Sequence, residues 1–460
     1  MGGVLMKSEE IIIDMINNAR LAQKEFEKWS QEQVDRVIRE IGKVVYDNAE
    51  LLAEMAVSET GMGNYSDKVA KNKGKSKTIW YSLKDKKSVG IINRDADAGI
   101  VEIAKPIGVV SSICPTTNPI VTPMSNAMFA LKGGNAIIVA PHPRAKRCSS
   151  YTVKLINEAI KKLGVPDNLI QIIEEPTLEL TNELMKASDA VVATGGSAMV
   201  KAAYSSGKPS FGVGPGNVQV IIDRNVDVNE VSKKVILGRS FDNGIICSGE
   251  QSIIVHKDDY DDVIDAFKAN GGYVVSNPKE KQILRDTLFI NNIINREVVG
   301  QSVMKIAEIA GIEIPDDTKV ILIEADGLGS EDVLCKEKMC PVIAIFKYGS
   351  FEEAVRIAQI NLELEGKGHT CVIHSNDAQH IEYAGLNLTV SRLVVNQPSS
   401  TTAGGTITNG FAPTTTLGCG TWGNNSISEN LTYKHLINIS RIGYHLADKE
   451  VPNDNDIWSI

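Results

Sequence analysis

VVATGGSAMVKAA, residues 191–203, decides the fold. It opens as an apolar, β-branched run, turns at Gly195-Gly196-Ser197, and continues with helical residues from Ser197 to Tyr204. A strand that runs through a glycine turn into a helix leaves free N–H groups and the positive end of a helix dipole at the strand's tip. A pyrophosphate binds well there. The spacing is not G-x-G-x-x-G, so a plain tight turn is the competing reading.

Working outward, the same alternation covers the middle of the chain. Val109–Ile113 reads as a strand, Cys114-Pro-Thr-Thr-Asn-Pro119 as a loop, Met124–Leu131 as a helix and Asn135–Ala140 as a buried strand. Lys146–Leu163 is helical, and Leu169–Ile173 and Asp189–Ala193 are strands. Strands alternating with helices predict an α/β fold with parallel sheets covered by helices, which bind ligands at the carboxyl ends of their strands. Beyond it, FGVGPGN (211–217) alternates glycines at 212, 214 and 216, which lets a ligand or a second backbone lie flat against the strand. Val231–Ser240, Gln251–His256, Tyr260–Asn270, Val320–Glu324, Val342–Phe346, Phe351–Asn361 and Arg392–Asn396 continue the pattern.

FDNGIICSGEQ (241–251) lies inside this second run. Cys247 stands among Asn243, Gly244, Ser248 and Gly249, so a substrate can approach its backbone closely. Its own N–H can then face the oxygen of a carbon attacked by the sulfur, which is half an oxyanion hole. A cysteine is more commonly a small buried hydrophobe; the polar, glycine-rich setting favours the nucleophile.

The flanks look like scaffold and contact surface. Residues 8–56 repeat apolar side chains at spacings of three and four, with Ser30 and Gln33 forming a capping box. DKVAKNKGKSK (67–77) carries five lysines and reads either as a solvated helix face or as a patch for an anionic cofactor or substrate. SVGIINRDADAGIVEIAKP (88–106) is a hairpin whose exposed edges suit a subunit contact. The polar tail after Asn424, strand-like at Leu436–Ile442, is expected to pair with a neighbouring subunit.

Length and composition bound the rest. A chain of 460 residues exceeds one ordinary core and predicts two or three domains. A hydrophobic content of 43% with 23% charged residues is that of a soluble globular protein. A net charge of −9 argues against a nucleic-acid surface, without excluding a local basic pocket. Seven scattered cysteines make no disulfide framework and suit a reducing compartment. No apolar run nears the length of a membrane span and the N-terminus does not read as a signal peptide, so a cytoplasmic protein without membrane partners is expected.

PTTNP (115–119), APHPRAK (140–146), ATGG (193–196), AAYSSGKP (202–209), FDNGIICSGEQS (241–252), KEKMCPV (336–342), GKGHT (366–370) and LGCGTWGNNSISEN (417–430) occur in that order. Together they resemble the aldehyde dehydrogenase superfamily, and most closely its coenzyme A-acylating branch, over essentially the whole chain. The resemblance implies an aldehyde dehydrogenase fold. Residues 1–87 and 107–219 would form a Rossmann-like nicotinamide cofactor-binding domain and 220–424 an α/β catalytic domain. Residues 88–106 and 425–460 would be an oligomerisation hairpin and tail, giving a homodimer or higher homo-oligomer. No second, iron-dependent alcohol dehydrogenase domain is expected, since the chain ends too soon for one.

By the same resemblance, Cys247 is the nucleophile, and Asn118, or Thr117 if the loop is shifted by one, supplies the side-chain half of the oxyanion hole. Glu337 holds the nicotinamide ribose, and Gly195, Gly196 and Ser197 receive the pyrophosphate. Pro141, His142 and Pro143 stand where hydrolytic relatives grip the adenine ribose with a lysine and a glutamate, which leaves NAD and NADP both open as cofactor. Gly212 stands where those relatives carry the glutamate that activates water, so the thioester is expected to pass to coenzyme A. His369 is the candidate to assist the coenzyme A thiol, against a structural role. No metal is implied. DVLCKEKMCPV, SRLVVNQPSSTTAGG and ENLTYKHLINISRIGY point within the branch to succinate semialdehyde as substrate, with acetaldehyde or another short-chain aldehyde as the alternative. The far carboxylate of a C4 semialdehyde needs a cation. Lys75 is preferred over Arg392, which is expected in a structural ion pair, and hydroxyls from Ser399 to Thr402, Ser399 and Thr401 among them, complete the shell. A non-catalytic assembly protein is the reading of a different class; the intact cysteine, oxyanion loop and ribose carboxylate count against it.

Overall fold

The computed structural model describes residues 2–459, with side chains from residue 7 onward. Four helices, Gly2–Phe26, Gln31–Asp47, Ala49–Thr60 and Tyr65–Leu83, open the chain. The capping box forms as its sequence implies. The Ser30 hydroxyl accepts from the Gln33 N–H at 3.3 Å, and the Gln33 side chain accepts from the Ser30 N–H at 2.9 Å. The apolar stripe of that helix, including Val37, Ile38, Ile41 and Val45, is fully buried against the first sheet's layer.

That sheet has five parallel strands in the order Ile170–Ile172, Ala136–Ala140, Val109–Ile113, Ala190–Thr194, Ser210–Val213. Every residue of Val109–Ile113 and Ala136–Ala140 is buried, as strands covered on both faces require. A second parallel sheet of seven strands follows: Gly272–Val275, Val320–Glu324, Val342–Tyr348, Glu250–His256, Val218–Ile222, Gly368–His374, Val390–Val395. Two apolar clusters pack on its faces, one around Ile321, Ile323 and Ala358, the other around Val220, Val235 and Phe267.

The hairpin forms, with Gly90–Asp95 antiparallel to Ile100–Pro106. The tail strand Ile437–Gly443 finds a first partner within its own chain. It pairs with Ile100–Pro106 of its own chain, Ile439 opposite Ala104, giving a three-stranded antiparallel sheet. Leu431 and Leu436, just before it, are buried in the first core, so the tail is anchored in cis. No helix of the described residues is long and apolar enough to cross a membrane.

Candidate functional site

The nucleophile loop begins where the helix Val228–Ser240 ends. Asp242, Asn243 and Gly244 follow with φ of 51°, 53° and 71°. Three consecutive left-handed residues reverse the chain sharply, and Asp and Asn tolerate this region better than other side chains. The Asn243 amide fixes the turn by donating to the carbonyls of Gly63 at 3.1 Å and Gly300 at 3.0 Å. Cys247 then sits just ahead of the strand Glu250–His256. Gly216 packs under it: a Cβ there would lie 1.8 Å from the Cys247 carbonyl oxygen. Burial pushes the Cys247 thiol up to about 12, with the charges of Glu337 and Cys419 adding to it and Arg392 opposing.

Cys247 opens into a cavity of about 290 Å³ whose wall also includes Lys71, Lys75, Asn118, Thr401 and Gly404. Asn118 follows the strand Val109–Ile113, and among the described residues its side chain makes no hydrogen bond, which leaves its amide for a ligand. The Thr117 side chain does not line this space; its carbonyl accepts from Lys71 Nζ at 3.3 Å. The lysine-rich helix is not simply a solvated face, because three of its lysines turn inward. Lys68, Lys71 and Lys75, spaced three and four apart, share one inward face. Lys68 and Lys71 both pair with the buried Asp242. Lys75 forms no ion pair among the described residues, and its Nζ donates to the Gly404 carbonyl at 2.9 Å. Burial lowers Lys75 to about 8, with the neighbouring Cys247 holding it up.

On the other side of the loop lies a crevice of about 640 Å³, lined by Ser197, Lys201, Gly214, Pro215, Glu365 and Cys419 among others. The turn of residues 195–196 feeds the helix Ser197–Tyr204, as its sequence implies. A Cβ at Gly196 or Gly214 would meet nothing within 4 Å, so both backbones face open space as a dinucleotide's close approach requires. Glu337 Oε1 accepts from the Gly216 N–H at 3.3 Å, and burial, with Glu365 adding to it, raises the carboxyl to about 8. These residues fit a nicotinamide dinucleotide.

Other residues singled out in the sequence lie outside both spaces. Gly212 faces the helix Ser197–Tyr204: its N–H donates to the Tyr204 hydroxyl at 2.9 Å, and a Cβ would meet Val200 at 2.7 Å and the Tyr204 ring at 2.9 Å. A glutamate at 212 would therefore displace Tyr204 before doing any chemistry. Pro141 is buried and Pro143 exposed. His142 caps the short turn Pro143–Ala145, its Nδ1 accepting from the Arg144 N–H at 3.1 Å. His369 is fully buried on the strand Gly368–His374, with Nδ1 2.9 Å from the Thr370 hydroxyl and no partner for Nε2. Burial and the Arg392 charge hold its pKa far below the ordinary histidine value. Arg392 makes no ion pair among the described residues. Its fork donates to Thr370 Oγ1, Asn430 Oδ1 and the carbonyls of His369 and Gly418 at 2.8–3.2 Å. Ser399 is buried with its N–H on the Glu250 carboxylate at 2.5 Å, while its neighbours Ser400 and Thr401 reach the cavity. Sequence reading missed Lys71 and Asp242; the three-and-four spacing of lysines 68, 71 and 75 was the available signal.

A cysteine beside an amide-bearing loop, with a glycine-lined crevice nearby, can attack an aldehyde next to a dinucleotide, and comparison with known proteins shows the family. The profile of the aldehyde dehydrogenase family matches residues 1–288. The chain belongs to that family. It is 56% identical over 453 residues to the succinate-semialdehyde dehydrogenase (acetylating) of Clostridium kluyveri, covering 98% of this chain and 100% of that one. Among solved structures it is similar to an acetylating aldehyde dehydrogenase from Geobacillus thermoglucosidasius (TM-score 0.93, 39% identity, 98% and 99% covered). It is also similar to a Rhodopseudomonas palustris propionaldehyde dehydrogenase solved with bound CoA and an acylated cysteine (TM-score 0.85, 29% identity, 94% and 97% covered).

Proposed function

We propose that the protein is a coenzyme A-acylating aldehyde dehydrogenase. It interconverts succinate semialdehyde, coenzyme A and an oxidised nicotinamide dinucleotide (NAD or NADP) with succinyl-coenzyme A and the reduced dinucleotide. One observation carries this reading. The cavity beside Cys247 holds Asn118 and two lysines, and no carboxylate lines it. It offers an oxyanion donor and, in Lys75, a cation for an anionic aldehyde, and no carboxylate base to activate water.

The chemistry follows from these groups. Cys247 loses its proton to solvent water, and the thiolate attacks the aldehyde carbon; the resulting oxyanion accepts from the Cys247 N–H and the Asn118 amide. One such donor contributes about 3–4 kcal/mol. A dinucleotide held in the crevice would supply the hydride acceptor, and loss of hydride from that carbon leaves Cys247 as a thioester. Glu337, held on the Gly216 N–H, would take the nicotinamide ribose, and Gly195, Gly196 and Ser197 would offer N–H groups to the pyrophosphate. The coenzyme A thiolate attacks the thioester carbonyl over the same donors, and the Cys247 thiolate leaves. Lys75 binds the far carboxylate of the substrate, with Thr401 beside it. His369, neutral and enclosed, serves the strand in this reading. The acylated cysteine in the Rhodopseudomonas enzyme and the name of the Clostridium relative support the scheme.

In this reading residues 1–87 and 107–219 bind the dinucleotide, and 220–424 carry the nucleophile. The sheet formed by 88–106 and 425–460 is the oligomer contact, its outer faces exposing Ile91 and Ile442. The seven cysteines, all unpaired, suit the cytoplasm. The test is a panel of succinate semialdehyde, acetaldehyde, butyraldehyde and sulfoacetaldehyde, each with coenzyme A and either dinucleotide. The highest kcat/KM is expected for succinate semialdehyde. A preference for acetaldehyde or butyraldehyde would overturn the substrate assignment, and no dinucleotide reduction with any aldehyde would leave an assembly protein.

A further inference from the structure

The two halves of the oxyanion hole come from different sheets. Cys247 precedes the strand Glu250–His256 of the seven-stranded sheet, and Asn118 follows Val109–Ile113 of the five-stranded one. Two donors must stay within roughly 0.5 Å of their working geometry to share one oxyanion. The side chain that reaches both loops is Lys71. Its Nζ donates to Asp242 Oδ2 at 2.5 Å and to the Thr117 carbonyl at 3.3 Å, so it ties the turn before the nucleophile to the peptide that carries Asn118.

Asp242 is built to receive such a tie. Its side chain is fully buried. It also accepts from Lys68 Nζ and from the Asn64 N–H, each at 3.1 Å, and its own N–H donates to Asp67 Oδ2 at 2.7 Å. Both lysines lie within ion-pair distance of this carboxylate, and one of them would balance its single charge. What Lys71 adds is reach, since an ammonium carries three donors and can serve two acceptors at once. The left-handed backbone at Asp242 and Asn243 is unfavourable for these residues and persists where surrounding contacts impose it.

We propose that Lys71 is a positioning residue that sets the separation between the Cys247 N–H and the Asn118 amide, and through them the stabilisation of the oxyanion. This rests on the reading of Cys247 as nucleophile and Asn118 as donor. The test is a double-mutant cycle on kcat and KM with succinate semialdehyde and saturating coenzyme A. Lys71→Met is expected to lower kcat by about a hundredfold with little change in KM for the aldehyde, the cost of a small misalignment. In an Asn118→Ala background the same substitution should cost less than about threefold, because the geometry it protects is already lost. Lys71→Arg, which keeps two-acceptor reach, should restore most of the rate. Equal losses in both backgrounds, or full kcat in Lys71→Met, would overturn the proposal while leaving the nucleophile assignment standing. Full kcat in Asn118→Ala alone would overturn the oxyanion reading and the proposal together. Should Lys71→Met not fold, Lys71→Gln carries the same cycle with the same deciding outcomes.

Discussion

The two sheets offer opposite ends to the site. The five-stranded sheet uses the carboxyl ends of its strands: Asn118 follows Val109–Ile113, and Gly196 and Ser197 follow Ala190–Thr194. The seven-stranded sheet uses amino ends: Gly216 precedes Val218–Ile222, Cys247 precedes Glu250–His256, Glu337 precedes Val342–Tyr348 and Gly366 precedes Gly368–His374. Carboxyl ends feed helix N-termini, which bind phosphate without further help. Amino ends have no such ready-made field. Their chemistry depends on how tightly the incoming loops are held, and here they are held by backbone contact and buried charge.

That contrast orders the expected effects of substitution. The largest falls on the amino-end side. In Gly216→Ala the new methyl would overlap the Cys247 carbonyl, 1.8 Å away, so the nucleophile must shift. Steady-state turnover should fall by about a hundredfold or more, the scale of a 1 Å misplacement. Wild-type kcat would show that the loop yields and that close packing there does not set the chemistry.

Lys75, between the two sheets, comes next. Lys75→Ala should raise KM for succinate semialdehyde roughly ten- to a hundredfold, as loss of a charged hydrogen bond does, and leave butyraldehyde little changed. The charged form of Lys75 lies below about 8. The ratio of kcat/KM for succinate semialdehyde to that for butyraldehyde should therefore be flat at neutral pH and fall as pH rises through about 8. Equal losses on both aldehydes, or a ratio independent of pH, would place Lys75 outside carboxylate recognition.

The smallest effect falls on the carboxyl-end side. Gly196→Ala adds a methyl that touches no protein atom within 4 Å, so the thermal midpoint should not move. KM for the dinucleotide should rise by roughly two- to tenfold from crowding of the pyrophosphate turn. An unchanged KM would move the pyrophosphate away from that turn.

Much of this division is legible in the sequence, because strands and helix starts are local events. Val109–Ile113 and Ser197–Tyr204 fall where apolar runs and the glycine turn put them. The turn before Cys247 is legible too, since Asn243 and Gly244 stand where the chain reverses. Long-range pairings are not. The tail strand has an exposed polar pattern that suits any sheet edge, and only the anchoring of Leu431 and Leu436 selects the hairpin of its own chain. Arg392 was expected in an ion pair, yet four neutral oxygens from three segments satisfy it. FGVGPGN reads as a surface for a ligand or a second backbone, but Gly212 packs on Tyr204, while Gly214, past the strand's end at Val213, lines the crevice. GKGHT was read as a motif; its last three residues begin a buried strand, which encloses His369.

In the proposed mechanism Cys247 carries the acyl group until coenzyme A removes it. The direct measurement mixes the protein with succinate semialdehyde and oxidised dinucleotide without coenzyme A, following absorbance and intact protein mass together. About one equivalent of reduced dinucleotide per active site should form and then stop. The protein should gain the mass of one succinyl group on Cys247, and coenzyme A should discharge it and restart turnover; Cys247→Ala should show neither burst nor adduct. Sustained turnover to the free acid without coenzyme A, or a burst retained in Cys247→Ala, would contradict the account.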